Sequence, residues 1–359
     1  MAYQNVATPR FYVDILLWHS AIGLGYPDDP DKDTVFDLNP QHLSTLNNGN
    51  HSERTFRFKV DGGYSPDKLQ INYFALLGHG LRQPPWDGNQ HYTVNGRFYK
   101  SDLSGGDLYL SNMSLTRGIN LEKYDANLRW QAKYRGVSMG IFDAPSDGYY
   151  EISNIDKFFV NTGKAVRMGA FSIGRYFDMP RSPNLSLKIN REYGGTKEVT
   201  TYNGSSISNT MWSAPPKWGN LPQWTVRGSD EPLANFTSGR RSWDLSFSYI
   251  DQSNMFAPTE SNASYIYDTI PYTDDTDLWD STETADYWNH NQRWLQHEDF
   301  FTQVWHKTLG GSLRFIFQPD NTNFNLDQFA ICMFKENSLK VTRTAFNVYD
   351  ISLSVEEVW

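Results

Sequence analysis

The C-terminal segment 341–359 constrains the fold of this chain more than any other part of the sequence. Apolar side chains at Tyr349, Ile351, Leu353 and Val355 alternate with polar ones. A two-residue alternation is typical of a β-strand that has one buried and one solvent-exposed face. Chain termini usually fray unless a sheet holds them. The pattern therefore predicts that the chain ends in a strand that is built into a sheet.

The same alternation recurs along the sequence and predicts a mainly β fold. It is found at Phe56–Val60, Leu185–Ile189, Trp243–Tyr249 and Leu313–Phe317. Aromatic residues make up 15% of the chain, and their flat side chains are favoured in sheets and at interfaces. We expect β-sandwich or β-barrel domains that are connected by long loops.

One segment has helical spacing instead. Phe301, Val304 and Thr308 fall on one face of a helix, and Gly310-Gly311 follows as a stop signal. The spacing predicts one short helix near 299–309, between the strands of the second half of the chain.

The length of 359 residues predicts two domains, since a domain typically has about 150 residues. We assign 1–160 to an N-terminal β-rich domain whose role the sequence leaves open. We assign 161–359 to a second β domain with long loop insertions at about 204–240 and 252–297. Connections of this length usually are functional loops or insertions.

Charge and cysteine content exclude several function classes. A net charge of −9 argues against specific nucleic-acid binding, which requires a basic surface. The single cysteine, Cys332, excludes an intrachain disulfide, and its apolar surroundings predict a small buried side chain. The chain does not open with a basic segment followed by an apolar one, and it has no apolar run near the ~20 residues that span a bilayer. We expect synthesis in a cytoplasm and no membrane insertion.

Two acidic groups in the sequence are candidate metal or catalytic sites. The first, Asp29, Asp31 and Asp33, resembles the start of a calcium-binding loop. However, Thr34 stands at the position that requires glycine and Pro40 at that of the bidentate glutamate. We expect a solvated loop there.

The second acidic group lies beside Trp279. Its members are Asp274, Asp275, Asp277 and Asp280. Such a group could bind a hard cation or supply two carboxylates for glycoside hydrolysis, but a solvated loop is the simpler interpretation. The eight histidines show no metal-ligand spacing. We therefore predict no catalytic residue, cofactor or metal site.

Tryptophans in predicted loops are the candidate functional residues. They are Trp212, Trp218, Trp224, Trp279 and Trp288. Tryptophans in loops can anchor a neighbouring subunit or stack on a sugar. Alternatively, they cover the open ends of the sheets.

Several segments between residues 161 and 359 are similar to structural proteins of tailed-bacteriophage particles. They are Val166–Gly174, Ser182–Leu187, Gly239–Tyr249, Phe300–Thr308, Phe315–Asp320, Phe329–Cys332 and Asn347–Trp359. The order of the parts also resembles, loosely, that of distal tail proteins. Those proteins place a β-barrel domain in a ring that joins the tail tube to the tip, with a second β domain outside. Residues 1–160 depart from this pattern.

The resemblance implies a non-enzymatic structural protein of the virion, in the tail tip or baseplate. It implies a homo-oligomeric ring, with a hexamer as one candidate, that contacts other virion structural proteins. The chain would be made in the host cytoplasm and reside in the virion tail.

Other functions stay open at this point. One alternative is a receptor- or glycan-binding protein of the virion surface, which would use the loop tryptophans. A second is a capsid-decoration or head–tail connector protein. A third is a polysaccharide-degrading enzyme that would use Asp277 or Asp280.

Overall fold

The computed structural model describes most of the chain in separate stretches. These are residues 6–22, 25–27, 35–46, 53–60, 69–80, 93–95, 98–100, 107–110, 115–123, 130–142, 150–152, 155–161, 166–193, 195–210, 217–218, 221–224, 239–257 and 298–358. Strands predominate in them, so the predicted mainly β fold is confirmed.

The strands, numbered in chain order, have the following bounds. They are β1 Arg10–Asp14, β2 Gly25–Pro27, β3 Ser44–Leu46, β4 Glu53–Val60, β5 Leu69–Ile71, β6 Tyr73–His79, β7 Thr93–Asn95, β8 Phe98–Lys100, β9 Asp107–Leu110, β10 Leu115–Ile119, β11 Leu121–Lys123, β12 Trp130–Ala132, β13 Gly136–Phe142, β14 Tyr150–Ile152, β15 Ile155–Asn161, β16 Val166–Met168, β17 Ala170–Asp178, β18 Lys188–Glu192, β19 Thr196–Thr200, β20 Ser206–Thr210, β21 Lys217–Trp218, β22 Leu221–Pro222, β23 Arg240–Asp251, β24 Phe315–Gln318, β25 Ala330–Phe334, β26 Lys340–Ala345 and β27 Val348–Glu357.

Helical segments are few and short. They are the α-helix α1 Ile15–Ile22, a π-helical turn Phe301–His306, and 3-10 turns at Gln252–Asn254 and Leu326–Gln328. The helix predicted near 299–309 is thus confirmed as the π-helical turn. Asp299 caps it, since its Oδ1 accepts a hydrogen bond from the Thr302 N–H at 2.8 Å. Gly310, with a φ of 69°, follows it in the left-handed region that glycine tolerates best.

Eleven strands form one antiparallel sheet. Its order is β10-β13-β6-β17-β1-β24-β25-β27-β23-β18. The remaining strand, β26, pairs with β27 on the same side as β25, because β23 pairs with the other side. A six-stranded sheet has the order β11-β12-β7-β15-β4-β2. The remaining described strands form the pairs β14-β5, β16-β3, β19-β20, β21-β22 and β8-β9.

The central strand β1 connects the two halves of the chain. It pairs with β17, where Phe11 lies opposite Phe177, and with β24, where Phe11 lies opposite Phe317. β17 in turn pairs with β6. The predicted boundary between residues 160 and 161 therefore does not separate the strands of this sheet, because both predicted domains contribute to it.

The middle of the large sheet is buried on both faces. Along β6, Phe74 and Leu76 belong to one apolar cluster, while Tyr73, Ala75 and Leu77 belong to another. Successive side chains of a strand point to opposite faces. The two clusters therefore lie on opposite sides of the sheet, as in a sandwich.

The C-terminal part of the sheet is buried on one face only. Ile351, Leu353 and Val355 of β27 pack in the same cluster as Trp243 and Phe247 of β23. The alternate positions of both strands carry mainly serine and acidic side chains. The strand predicted from the alternation at Tyr349–Val355 is therefore confirmed as the half-buried strand β27.

Other features fit the sequence expectations to different degrees. Cys332 is buried, as predicted. The predicted loop at 204–240 contains the short strands β20, β21 and β22. Most of the predicted loop at 252–297 lies outside the described residues. Among the helices that are described, none is long and apolar enough to cross a membrane.

A buried ion pair fixes three strands at the C-terminal end of the sheet. Arg241 of β23 contacts Glu357 of β27 at 2.9 Å between Nη2 and Oε1. The same guanidinium donates to the Phe329 carbonyl at 2.7 Å and to the Asp327 carbonyl at 2.6 Å. These contacts connect β23 to β27 and to the segment directly before β25.

Replacing Glu357 should test this contact. We expect Glu357→Gln to lower the free energy of unfolding by about 3–5 kcal/mol, because it leaves the buried Arg241 charge uncompensated. The matched control is Glu356→Gln, whose carboxylate faces Lys335 at 3.4 Å in an exposed pair and should contribute about 0–1 kcal/mol. Urea denaturation measures both. Equal losses in the two variants would contradict this assignment.

Candidate functional site

The structure places two of the five candidate tryptophans inside the protein. Trp218 and Trp224 are buried in the apolar cluster that also contains Phe329. Their rings are 5.2 Å apart in an edge-to-face contact, and Trp224 stacks on Phe329 at 5.7 Å. Trp212, Trp279 and Trp288 lie outside the described residues.

Trp218 and Trp224 thus occupy the position of a lid over one face of the sheet. The alternative role predicted from the sequence was cover for the open ends of the sheets, whereas Trp218 and Trp224 pack over a face and are not exposed for stacking. The Trp218 side chain lies against Gly78, where an added Cβ would be 3.2 Å from the Trp218 Cβ. The sequence alone does not show whether a loop tryptophan packs on its own sheet or is exposed at an interface. The answer depends on how the loop folds, which the sequence pattern does not indicate.

Neither acidic group of the sequence analysis lies in the described residues. Asp29, Asp31 and Asp33 are outside them, as are the four aspartates near Trp279. Across the stretches that the structure does describe, no group of three or more metal-ligating side chains is found.

Asp14 is a buried carboxyl at the junction of β1 and α1. Its Oδ1 accepts the N–H groups of Leu16 at 2.9 Å and of Leu17 at 3.2 Å, so it caps the helix directly after the strand ends. Burial raises its pKa to about 7, although these N–H groups and the Ser172 hydroxyl favour the ionised form. No sequence pattern indicates this site, because a single aspartate in an apolar run has no characteristic spacing.

Lys307 is a second buried ionisable group, just after the π-helical turn. Its Nζ donates to the Gln303 Oε1 at 2.7 Å and lies 6.0 Å from the centre of the Trp18 ring. Burial, assisted by the nearby Arg175, lowers its pKa to about 7. A lysine of this kind can act as a nucleophile where a substrate reaches it. Here the amine is enclosed by the core.

The exposed surface is most unusual between residues 185 and 210, a segment that we call the arm. Six of the ten exposed large apolar side chains of the described residues lie there. They are Leu185, Ile189, Tyr193, Val199, Tyr202 and Ile207. Contiguous exposed apolar surface often marks a site of association.

The outer part of the arm is a hairpin formed by β19 and β20. Val199 lies directly opposite Ile207, and the two side chains are 63% and 60% exposed. Gly204, with a φ of 77°, lies in the turn that joins the strands, as the Asn203-Gly204 pair predicts. An isolated two-stranded hairpin is only marginally stable in water. Burial of its apolar face against another surface would therefore stabilise it.

The inner part of the arm is the edge of the large sheet. In the described part of the chain, β18 pairs with β23 alone. Every residue of β18 is exposed. An unpaired edge can hydrogen-bond with another chain, so the arm combines apolar side chains with available backbone groups.

Comparisons with known proteins add little to this picture. No protein-family model matches the chain, and no curated protein matches it. A solved structure described as "CpGH89CBM32-6 produced by Clostridium perfringens" is similar over 41% of this chain and 87% of that chain. The identity is 13% and the TM-score is 0.26, and a likeness this low carries no argument about function.

The buried Asp14 should make stability depend on pH. Its pKa is about 7 in the folded protein against an ordinary 3.8, so its stabilising contribution is complete below pH 3.8 and is lost as the pH rises to about 7. We expect Asp14→Asn to gain stability relative to the wild type over this range, on the order of 4 kcal/mol. Urea denaturation from pH 4 to 8 measures the difference. A difference that does not change with pH would contradict the buried carboxyl.

The lid role of Trp218 predicts a loss of stability on truncation. We expect Trp218→Ala to lower the free energy of unfolding by about 3–5 kcal/mol through the cavity it creates. Trp218→Phe is the matched control and should lose less, because the indole N–H makes no hydrogen bond. If Trp218→Ala retained full stability but lost binding on a glycan array, the stacking role would be correct instead.

Proposed function

We propose that the protein is a non-enzymatic structural component of a tailed-phage virion, in the tail tip or baseplate, and that it assembles as a homo-oligomeric ring. The observation that carries the proposal is the arm, whose Val199–Ile207 face is exposed in the single chain. A surface of this kind is expected of a protein whose function is to contact other subunits.

The sheet supports the same proposal. Three apolar clusters are buried in the chain, while the edge strand β18, within the arm, is exposed. Rings are built from heterologous contacts, in which one surface of a subunit meets a different surface of the next. A protruding hairpin at one edge of an extended sheet suits such a contact.

The resemblance of residues 161–359 to phage particle proteins supports the location in the virion. The arm and β18 lie within this part of the chain, as do the strands that hold them. The position in the tail tip or baseplate is the more specific part of the proposal and rests on the loose similarity to distal tail proteins.

Native mass spectrometry of the purified protein tests the assembly. We expect one closed oligomer, at a multiple of the 41.4 kDa chain mass. Val199→Asp combined with Ile207→Asp should shift it to the monomer, because the new charges oppose burial of the apolar face. The matched control, Thr200→Asp with Ser206→Asp, changes the opposite face of the same hairpin and should leave the oligomer intact.

Two outcomes would overturn the proposal. One is a wild-type protein that stays monomeric at micromolar concentration. The other is its absence from purified phage particles that are analysed by peptide mass spectrometry.

A further inference from the structure

A second exposed apolar surface lies at the far end of the strands that hold the arm. Phe346, in the turn between β26 and β27, is 82% exposed, and Tyr249, near the end of β23, is 67% exposed. Asp251 of β23 lies opposite Val348 of β27, so both aromatic residues lie at the same end of this strand pair. We call this surface the Tyr249–Phe346 patch.

The β19–β20 hairpin of the arm follows the end of β18 that lies farthest from the patch. β18 runs antiparallel to β23 and its last residue, Glu192, lies opposite Arg240 at the start of β23. The hairpin follows Glu192 in the chain, whereas Tyr249 lies nine residues after Arg240. At about 3.3 Å per residue, Arg240 and Tyr249 are roughly 30 Å apart along the strand. In the single chain neither surface covers the other, since both remain exposed.

The charges next to the two apolar surfaces are complementary. On the hairpin, Lys197 lies two residues before Val199 and therefore on the same face. At the patch, Asp350 accepts a hydrogen bond from the Tyr249 backbone N–H at 3.0 Å. Asp251 lies two residues after Tyr249 in β23. A lysine thus flanks one apolar surface and two carboxylates flank the other, which favours their association.

We propose that the arm of one copy of this chain docks on the Tyr249–Phe346 patch of the next copy, so that the subunits join head to tail. The inference rests on the proposed self-assembly and identifies the surfaces that carry it. Because the donor and acceptor surfaces differ, the contact is heterologous. Repetition of such a contact closes a ring or extends a filament.

Cysteine cross-linking tests this contact directly. Ile207→Cys and Phe346→Cys are both at exposed positions, and the natural Cys332 is buried and does not compete. We expect the double variant to form a ladder of covalent oligomers on a non-reducing gel. Each single variant should stay monomeric on that gel, and a mixture of the two single variants should stop at the dimer.

The matched control moves the arm cysteine to the opposite hairpin face. Ser206→Cys combined with Phe346→Cys should cross-link at least about tenfold less, because a disulfide requires close and aligned Cβ atoms. As a second measurement, Phe346→Asp should shift the native mass to the monomer.

The outcomes separate this inference from the proposed function. A wild-type oligomer whose Ile207→Cys/Phe346→Cys variant does not cross-link above the control would overturn the docking contact and leave self-assembly standing. Dimers formed by Ile207→Cys alone would also overturn it, in favour of a two-fold contact between arms. A monomeric wild type would overturn both.

Discussion

The structure depends first on the pairing of β1 between β17 and β24. This strand near the N-terminus hydrogen-bonds to strands more than 150 and 300 residues later, so it closes the sheet across the chain. Its apolar side chains belong to clusters on both faces, because Phe11 contacts Phe315 and Phe317 while Tyr12 contacts Tyr73 on the other side. The approach to β17 is so close that a Cβ on Gly174 would meet the Val13 carbonyl at 2.0 Å. Such nonlocal pairing has a high entropic cost, which the buried aromatic contacts offset.

The sequence predicted those parts of the fold whose side chains face water on one side. β23 and β27 alternate because one face is solvated, and both were found where the alternation indicates. The sequence pattern does not separate β1 from α1. All five residues of β1 are buried, so the strand shows no alternation of apolar and polar side chains. The extension of one sheet across residue 160 was likewise beyond the sequence pattern, because strand partners hundreds of residues apart leave no local signal. Trp218 and Trp224 looked like surface residues of a loop, yet packing against Phe329 makes them part of the core.

In the proposed assembly, the core is buried within each chain, while the arm and the edge of the sheet would contact the neighbouring subunit. The clusters beneath β6, β23 and β27 are closed within the chain, so the subunit does not need a partner to complete its core. The apolar side chains that remain exposed are concentrated in the arm, with others at the far end of the same strands. Lys188 and Glu192 on β18 oppose unspecific pairing of this edge, and in the proposed assembly the charges beside the apolar side chains would select the partner.

The central claim is that this chain functions by fitting against copies of itself. Electron cryomicroscopy of the purified protein measures this most directly. The account predicts a closed ring in which each hairpin of β19 and β20 covers Tyr249 and Phe346 of the neighbouring subunit. Particles of a single chain, or dimers with a two-fold axis between the hairpins, would contradict it.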